Sequence, residues 1–196
     1  MQIKPSDAKF VTYCSKSDTR LDGPWSKGFP GIAKKPPKLL SKENMYEWQK
    51  GIVDLCESEP DDRTIHWYWD SDGCTGKTSL CKYLMWHHDA FLFSGKATDI
   101  ASRIINRNEP PRIALMNITR TAEGKLSWAA IEEIKDGCIS SGKYEGGQMI
   151  FDPPHVIIFA NFRPDTSTLS VDRWNIVNIK GEKSESTYGF VELFNL

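Results

Sequence analysis

The stretch TIHWYWDSDGCTGKTSL, residues 64 to 80, sets the architecture expected of this chain. Its first part, TIHWYW, is β-branched and aromatic throughout, which suits a short strand buried on both faces. Residues 71 to 78 follow as Ser-Asp-Gly-Cys-Thr-Gly-Lys-Thr, and from Lys77 to about His87 a helix is expected with Leu80, Tyr83 and Leu84 on one side. Strand, glycine-containing loop and helix in that order match the phosphate-loop pattern G-x-x-x-x-G-K-[ST], with Ser71 in place of the first glycine. Such a loop turns backbone N–H groups inward as an anion nest, so glycine is favoured where φ is positive or a phosphate comes close. Gly73, Cys74, Thr75, Gly76, Lys77 and Thr78 are therefore the expected nucleotide-binding residues. Lys77 would carry charge to the β- and γ-phosphates, the Thr78 hydroxyl would bind Mg²⁺, and the helix dipole would add to both.

Upstream of the strand, SKENMYEWQKGIVDLCES places Met45, Trp48, Ile52 and Leu55 on one helical face, with Ser41 as N-cap, giving a helix over about 42–58. Residues 17 to 41, rich in Pro, Gly, Ser and Lys, read as a linker. Downstream, strands are expected at Ala90–Phe93, Arg112–Met116 and His155–Ala160, and a helix at Trp128–Asp136 closed by Gly137. Apolar strands alternating with helices imply an α/β fold whose largely parallel sheet has helices on both faces.

Two strands end in polar groups. Arg-Ile-Ala-Leu-Met runs into Asn117, where a nucleotide-hydrolysing enzyme of this type usually places an acid. A neutral carbonyl is a poorer partner for a divalent cation than a carboxylate, so either hydrolysis is slow, or Glu132 or Glu133 supplies the charge, or else Asn117 simply terminates the strand. The third strand, His155–Ala160, delivers Asn161 to the carboxyl edge of the sheet, where it could bond the γ-phosphate or its water, or else be an ordinary turn residue after a strand. In Asp172-Arg173-Trp174, set in an otherwise polar stretch, Arg173 is either an arginine finger for a neighbouring subunit or an ion-pair partner of Asp172. Lys143 and Tyr144, flanked by glycine in what reads as a hairpin tip, suit phosphate contact and base stacking on single-stranded nucleic acid, or else a solvated turn.

The whole has 196 residues, 39% hydrophobic and 26% charged, enough for one α/β domain and a smaller extra piece. Its net charge of −1 hides an asymmetry: residues 1 to 50 hold ten Lys and Arg against five Asp and Glu. Five scattered cysteines, with no CxxC pair, indicate neither a zinc site nor a disulfide framework and suit a reducing compartment. With no apolar run near the length of about 20 residues that spans a bilayer, a soluble, intracellular protein is expected, with no membrane partner.

Over essentially its whole length the sequence resembles the replication-associated (Rep) proteins of small circular single-stranded DNA viruses and their satellites. The resemblance is carried by WYWDSDGCTGKTSL, FSGKATDI, AIEEIKDGCISSGKYEGG, PPHVIIFANF and LSVDRWNI, in that order. It implies a P-loop NTPase of the AAA+ type, a superfamily 3 helicase over residues 61–196, preceded by a helical oligomerisation segment at 42–60. The expected motor is a hexamer that hydrolyses ATP with Mg²⁺ between subunits and moves on single-stranded DNA in the host nucleus. The resemblance assigns Gly73, Gly76, Lys77 and Thr78 to the Walker A motif and Asn117 to the Walker B position. It makes Lys143 a DNA contact, Asn161 the sensor and Arg173 the arginine finger.

At the front of the chain, Tyr13-Cys14-Ser15-Lys16 resembles the last motif of the family's HUH endonuclease, whose Tyr attacks a DNA phosphate. That chemistry needs a His-hydrophobic-His metal pair, and the four histidines, His66, His87, His88 and His155, all lie downstream. Residues 1–16 are thus expected to be the tail of a nuclease, without endonuclease activity in this chain. Two rivals to the motor stand open: a weakened or regulatory nucleotide- and DNA-binding Rep segment, suggested by Asn117, and a monomeric small-molecule kinase.

Overall fold

In the computed structural model, residues 38–180 are described, apart from 108, 125, 144 and 145. Strand β1 (Ile65–Trp69) lies in a five-stranded parallel sheet with β2 (Phe91–Leu92), β3 (Ile113–Asn117), β6 (His155–Ala160) and β7 (Trp174–Asn178), in the order β2-β3-β6-β1-β7. Four α-helices are described: α1 (Glu47–Glu57), α2 (Lys77–His87), α3 (Ala97–Arg107) and α4 (Trp128–Lys135). Strands β4 (Cys138–Ser141) and β5 (Gly147–Ile150) form a separate antiparallel pair, with Lys143 in the turn between them.

The expectation of a parallel sheet covered on both faces holds, and side-chain alternation along β1 explains it. Trp67 faces a core built with Ile100, Ile104, Ile131 and Ile134, from α3 and α4. Tyr68 faces the other way, onto Ile52, Val53, Leu80 and Leu84, from α1 and α2. Aromatic packing binds distant segments to the first face. Trp67 stacks on Trp128 at 5.9 Å and meets Trp174 and Phe162 edge-on, while its indole N–H donates to the Phe162 carbonyl at 3.0 Å.

Several boundaries differ from the expected ones. Ser41 caps no long helix; it precedes a 3₁₀ turn, Lys42–Asn44, and α1 begins after Tyr46, whose extended backbone N–H donates to Gln49 Oε1 at 3.0 Å. The segment 42–60 also packs onto the sheet, burying Met45, Ile52, Val53 and Cys56 against Tyr68, Leu80 and Phe159. Helix α3 has no counterpart in the sequence reading, although Ile100, Ala101 and Ile104 form its buried stripe. Strand β7 is likewise new: the stretch around Arg173, read as polar, is a 3₁₀ turn, Val171–Arg173, leading into a strand with Trp174 and Ile176 buried. Tyr13, Tyr144 and all but the last four residues of the linker, 17–41, lie outside the described residues.

Candidate functional site at the carboxyl edge of the sheet

Residues 71 to 78 leave the end of β1 and enter α2 at Lys77. The backbone turns through positive φ at Gly73 (86°), Cys74 (59°) and Gly76 (89°), the geometry that converges successive N–H groups. At Gly76 an added Cβ would stand 2.8 Å from Gln49 Nε2, so the Gln49 amide would have to shift, and the positive φ would itself strain a side chain there. That amide donates to the Gly76 carbonyl at 3.2 Å and is almost wholly buried, so α1 is anchored on the loop.

Beneath the loop lies Asp70, the residue after β1, only 1% exposed. Its carboxylate accepts hydrogen bonds from the Gly73 N–H, from Thr75 Oγ1 at 2.7 Å and from Lys77 Nζ. Burial pushes the Asp70 carboxyl up, but the bonds from Lys77, Thr75 and Gly73 outweigh it and hold the group below the usual carboxylate range.

Strands β3, β6 and β1 are neighbours in the sheet, so their carboxyl ends deliver Asn117, Asn161 and the loop to one place. A cleft of about 440 Å³ results, lined by Gly73 to Ser79, by Asn117 to Arg120 and by Asn161. Asn117 Nδ2 donates to Thr78 Oγ1 at 3.1 Å. Asn161 Oδ1 is buried with no hydrogen-bond partner among the described residues, an orphaned acceptor at the cleft. The cleft thus unites Gly73, Cys74, Thr75, Gly76, Lys77, Thr78, Asn117 and Asn161. Among the described residues none that lines it is Asp or Glu, so a cation there would meet neutral side-chain oxygens, those of Thr78 and Asn117 among them.

Sequence reasoning passed over several further groups. Arg120, three residues after the strand-ending Asn117, donates to the carbonyls of Ser71 at 2.6 Å and Asp72 at 2.8 Å and so clasps the loop from the β3 side. Lys180, just past β7, reaches Asp72 at 2.6 Å, and that contact lowers the Asp72 carboxyl. For Arg120 the one available signal was position, just past the expected strand that runs into Asn117; Lys180 follows β7, which the sequence reading did not contain.

Arg173 is elsewhere. Trp174 pairs with Ile65 at the start of β1, so Arg173 sits at the amino edge of the sheet, opposite the loop. It is buried, donates to Asp136 Oδ1 at 2.8 Å and lies 3.8 Å from Glu132. The possible pairing of Arg173 with Asp172 is not what forms, because Asp172 takes Arg63 instead, at 2.5 Å. Lys143, in the β4–β5 turn, pairs with Asp99 on α3. No cluster of His, Cys, Asp and Glu suited to a metal ion, and no helix long and apolar enough to cross a membrane, occurs among the described residues.

Comparison with known proteins adds a lineage to this geometry. The chain is 30% identical to the master replication protein of Faba bean necrotic yellows virus (isolate Syrian SV292-88), over 82% of its own length and 71% of that protein. It is 29% identical to Para-Rep C10 of Milk vetch dwarf C10 alphasatellite, over 90% of the chain and 76% of the relative. Against the master replication protein of Banana bunchy top virus it is 29% identical, over 89% and 76%. No family model matches the chain.

Proposed function

The chain belongs to the family of viral replication (Rep) proteins of these plant viruses and alphasatellites, and we propose that its described part is the P-loop ATPase motor of such an initiator, a superfamily 3 DNA helicase. One observation carries this reading: Lys77, Thr78, Asn117 and Asn161, from three adjacent strand ends, line a single cleft around a loop of positive-φ residues. ATP with Mg²⁺ fits that cleft in its phosphate end. Inward N–H groups and Lys77 suit the anionic oxygens, Thr78 and Asn117 offer oxygens to the cation, and the orphaned Asn161 carbonyl would accept from a water placed for attack. Bound Mg²⁺ would draw charge from the phosphates, while Asn117 keeps the Thr78 hydroxyl oriented.

Arg173 cannot serve the cleft of its own chain, because the two lie at opposite ends of β1 and β7. Its contribution as a finger is therefore made to another copy, as a ring, here a hexamer, permits. Lys143, projecting in the β4–β5 turn, is the DNA-contacting cation on single strands. The host nucleus is the corresponding site of action.

The cleft's lack of a carboxylate favours a second reading, a nucleotide- and DNA-binding Rep segment that hydrolyses little. Steady-state ATPase measurements with and without single-stranded DNA separate the two. The motor predicts DNA-stimulated hydrolysis that Lys77→Ala abolishes; hydrolysis no faster than that variant rejects it. Asn117→Asp is expected to raise the rate about tenfold by restoring a carboxylate to the cation.

A further inference from the structure

The loop that should receive phosphate already holds an anion of its own. Asp70 lies beneath it, nearly unexposed, with its backbone N–H directed to the Ala160 carbonyl at 3.4 Å. Its two carboxylate oxygens divide the work. Oδ1 accepts from the Gly73 N–H, and Oδ2 accepts from both Thr75 Oγ1 and Lys77 Nζ. Lys77 is itself only 8% exposed, and its ammonium also lies 3.4 Å from Thr75 Oγ1. The cation that nucleotide binding needs is thus paired inside the protein, where charge pairs are screened little by water.

Resting on the reading of this cleft as a nucleotide site, we propose that Asp70 is a positioning residue with two roles: it shapes the phosphate loop through Gly73 and Thr75, and it competes with the nucleotide for Lys77. Arrival of a phosphate moves the ammonium from Asp70 to the phosphate oxygens, while the Gly73 and Thr75 bonds stay. Binding then costs the separation of a buried ion pair and places phosphate near a buried carboxylate, so affinity is held down. The same pair keeps Lys77 from being buried without a partner when no nucleotide is present. The charge, rather than the shape, of Asp70 sets the competition.

Asp70→Asn tests that distinction, since the amide oxygen still accepts from the Gly73 N–H, the amide NH2 in place of Oδ2 can donate to the Thr75 hydroxyl, and the group carries no charge. Binding of a fluorescent methylanthraniloyl-ADP with Mg²⁺ to the full chain is expected to tighten about tenfold in Asp70→Asn relative to wild type. Nucleotide should also raise the melting temperature more in the variant than in the wild type. Equal or weaker binding by a folded Asp70→Asn overturns the competition while leaving the nucleotide site intact, provided that the wild type binds and Lys77→Ala does not. Binding that Lys77→Ala fails to reduce overturns the site itself and the proposal with it. If Asp70→Asn does not fold, the wild-type protein answers alone through the ¹⁵N-labelled lysine ammonium resonance of Lys77. A scalar coupling to a carboxylate present without ADP and lost at saturation supports the exchange. A coupling that is missing without ADP, or that persists with it, rejects the exchange.

Discussion

Three cations that the proposed motor needs for its ligands rest on carboxylates of the chain itself: Lys77 on Asp70, Lys143 on Asp99 and Arg173 on Asp136. They differ in how firmly they are held. The Lys143 pair is about half exposed and is therefore worth little. Lys77 and Arg173 are buried, so releasing them costs more. Elsewhere, burial acts on a neutral side chain. His66 is buried in β1, its Nδ1 accepts from Asn175 Nδ2 at 2.9 Å, and its Nε2 has no partner among the described residues. Burial lowers its pKa to about 4, from 6.5. Because the folded state binds the proton less well than the unfolded chain, stability is full above pH 6.5 and falls as pH drops toward 4. The loss reaches about 3 kcal/mol at most. Thermal melts between pH 7 and 4 should show it, and His66→Gln, which keeps an acceptor for Asn175 but does not titrate, should flatten the wild-type slope. An unchanged slope would place the titration elsewhere, for instance in His155, whose pKa burial also lowers.

At the scale of the element, the β4–β5 pair depends on one glycine. Gly137 has φ of 66°, its N–H donates to the Ile134 carbonyl at 3.2 Å, and its carbonyl accepts from the Phe151 N–H at 2.8 Å. An added Cβ would overlap the Phe151 carbonyl, a backbone atom that cannot step aside. Gly137→Ala combines a left-handed conformation with that clash, and should cost about 2–4 kcal/mol in urea denaturation. The sequence already pointed to this glycine as the end of α4, since such a position favours it. Helix α3 went unread because it offers two short apolar pairs among Thr, Asp, Ser, Arg and Asn, and only packing on the sheet shows which face is buried. Strand β7 was hidden by the polar residues before it, and is formed by pairing with β1, a contact across more than one hundred residues.

For the whole molecule, the separation of Arg173 from the cleft makes assembly part of the proposed chemistry. Lys77→Ala and Arg173→Lys, each inactive alone, should regain activity when mixed before ATP is added. In a random ring, about a quarter of interfaces would pair an intact loop with an intact arginine. Mixing that restores nothing, with both variants folded and assembled, would confine Arg173 to its buried pair with Asp136. Assembly also bears on α1. Its apolar face is used against the chain's own sheet and its Gln49 on the loop at Gly76, so a collar contact would be left to its outer, polar side, Glu47, Lys50 and Asp54.

The sequence alone determined what short-range chemistry controls. The strand–loop–helix of residues 64 to 87, the polar ends Asn117 and Asn161, the hairpin turn at Lys143 and the close of α4 each depend on neighbours a few residues apart. Only the tertiary structure decided what depends on strand order. Placing β3 and β6 beside β1 gathers Asn117, Asn161 and Arg120 around the loop, and placing β7 on the far side of β1 sends Arg173 to the opposite edge and Lys180 back to Asp72. Asp70 belongs to both accounts. It stands beside the motif in the sequence, but its hold on Lys77 emerges only when burial leaves the two charges no water to turn to.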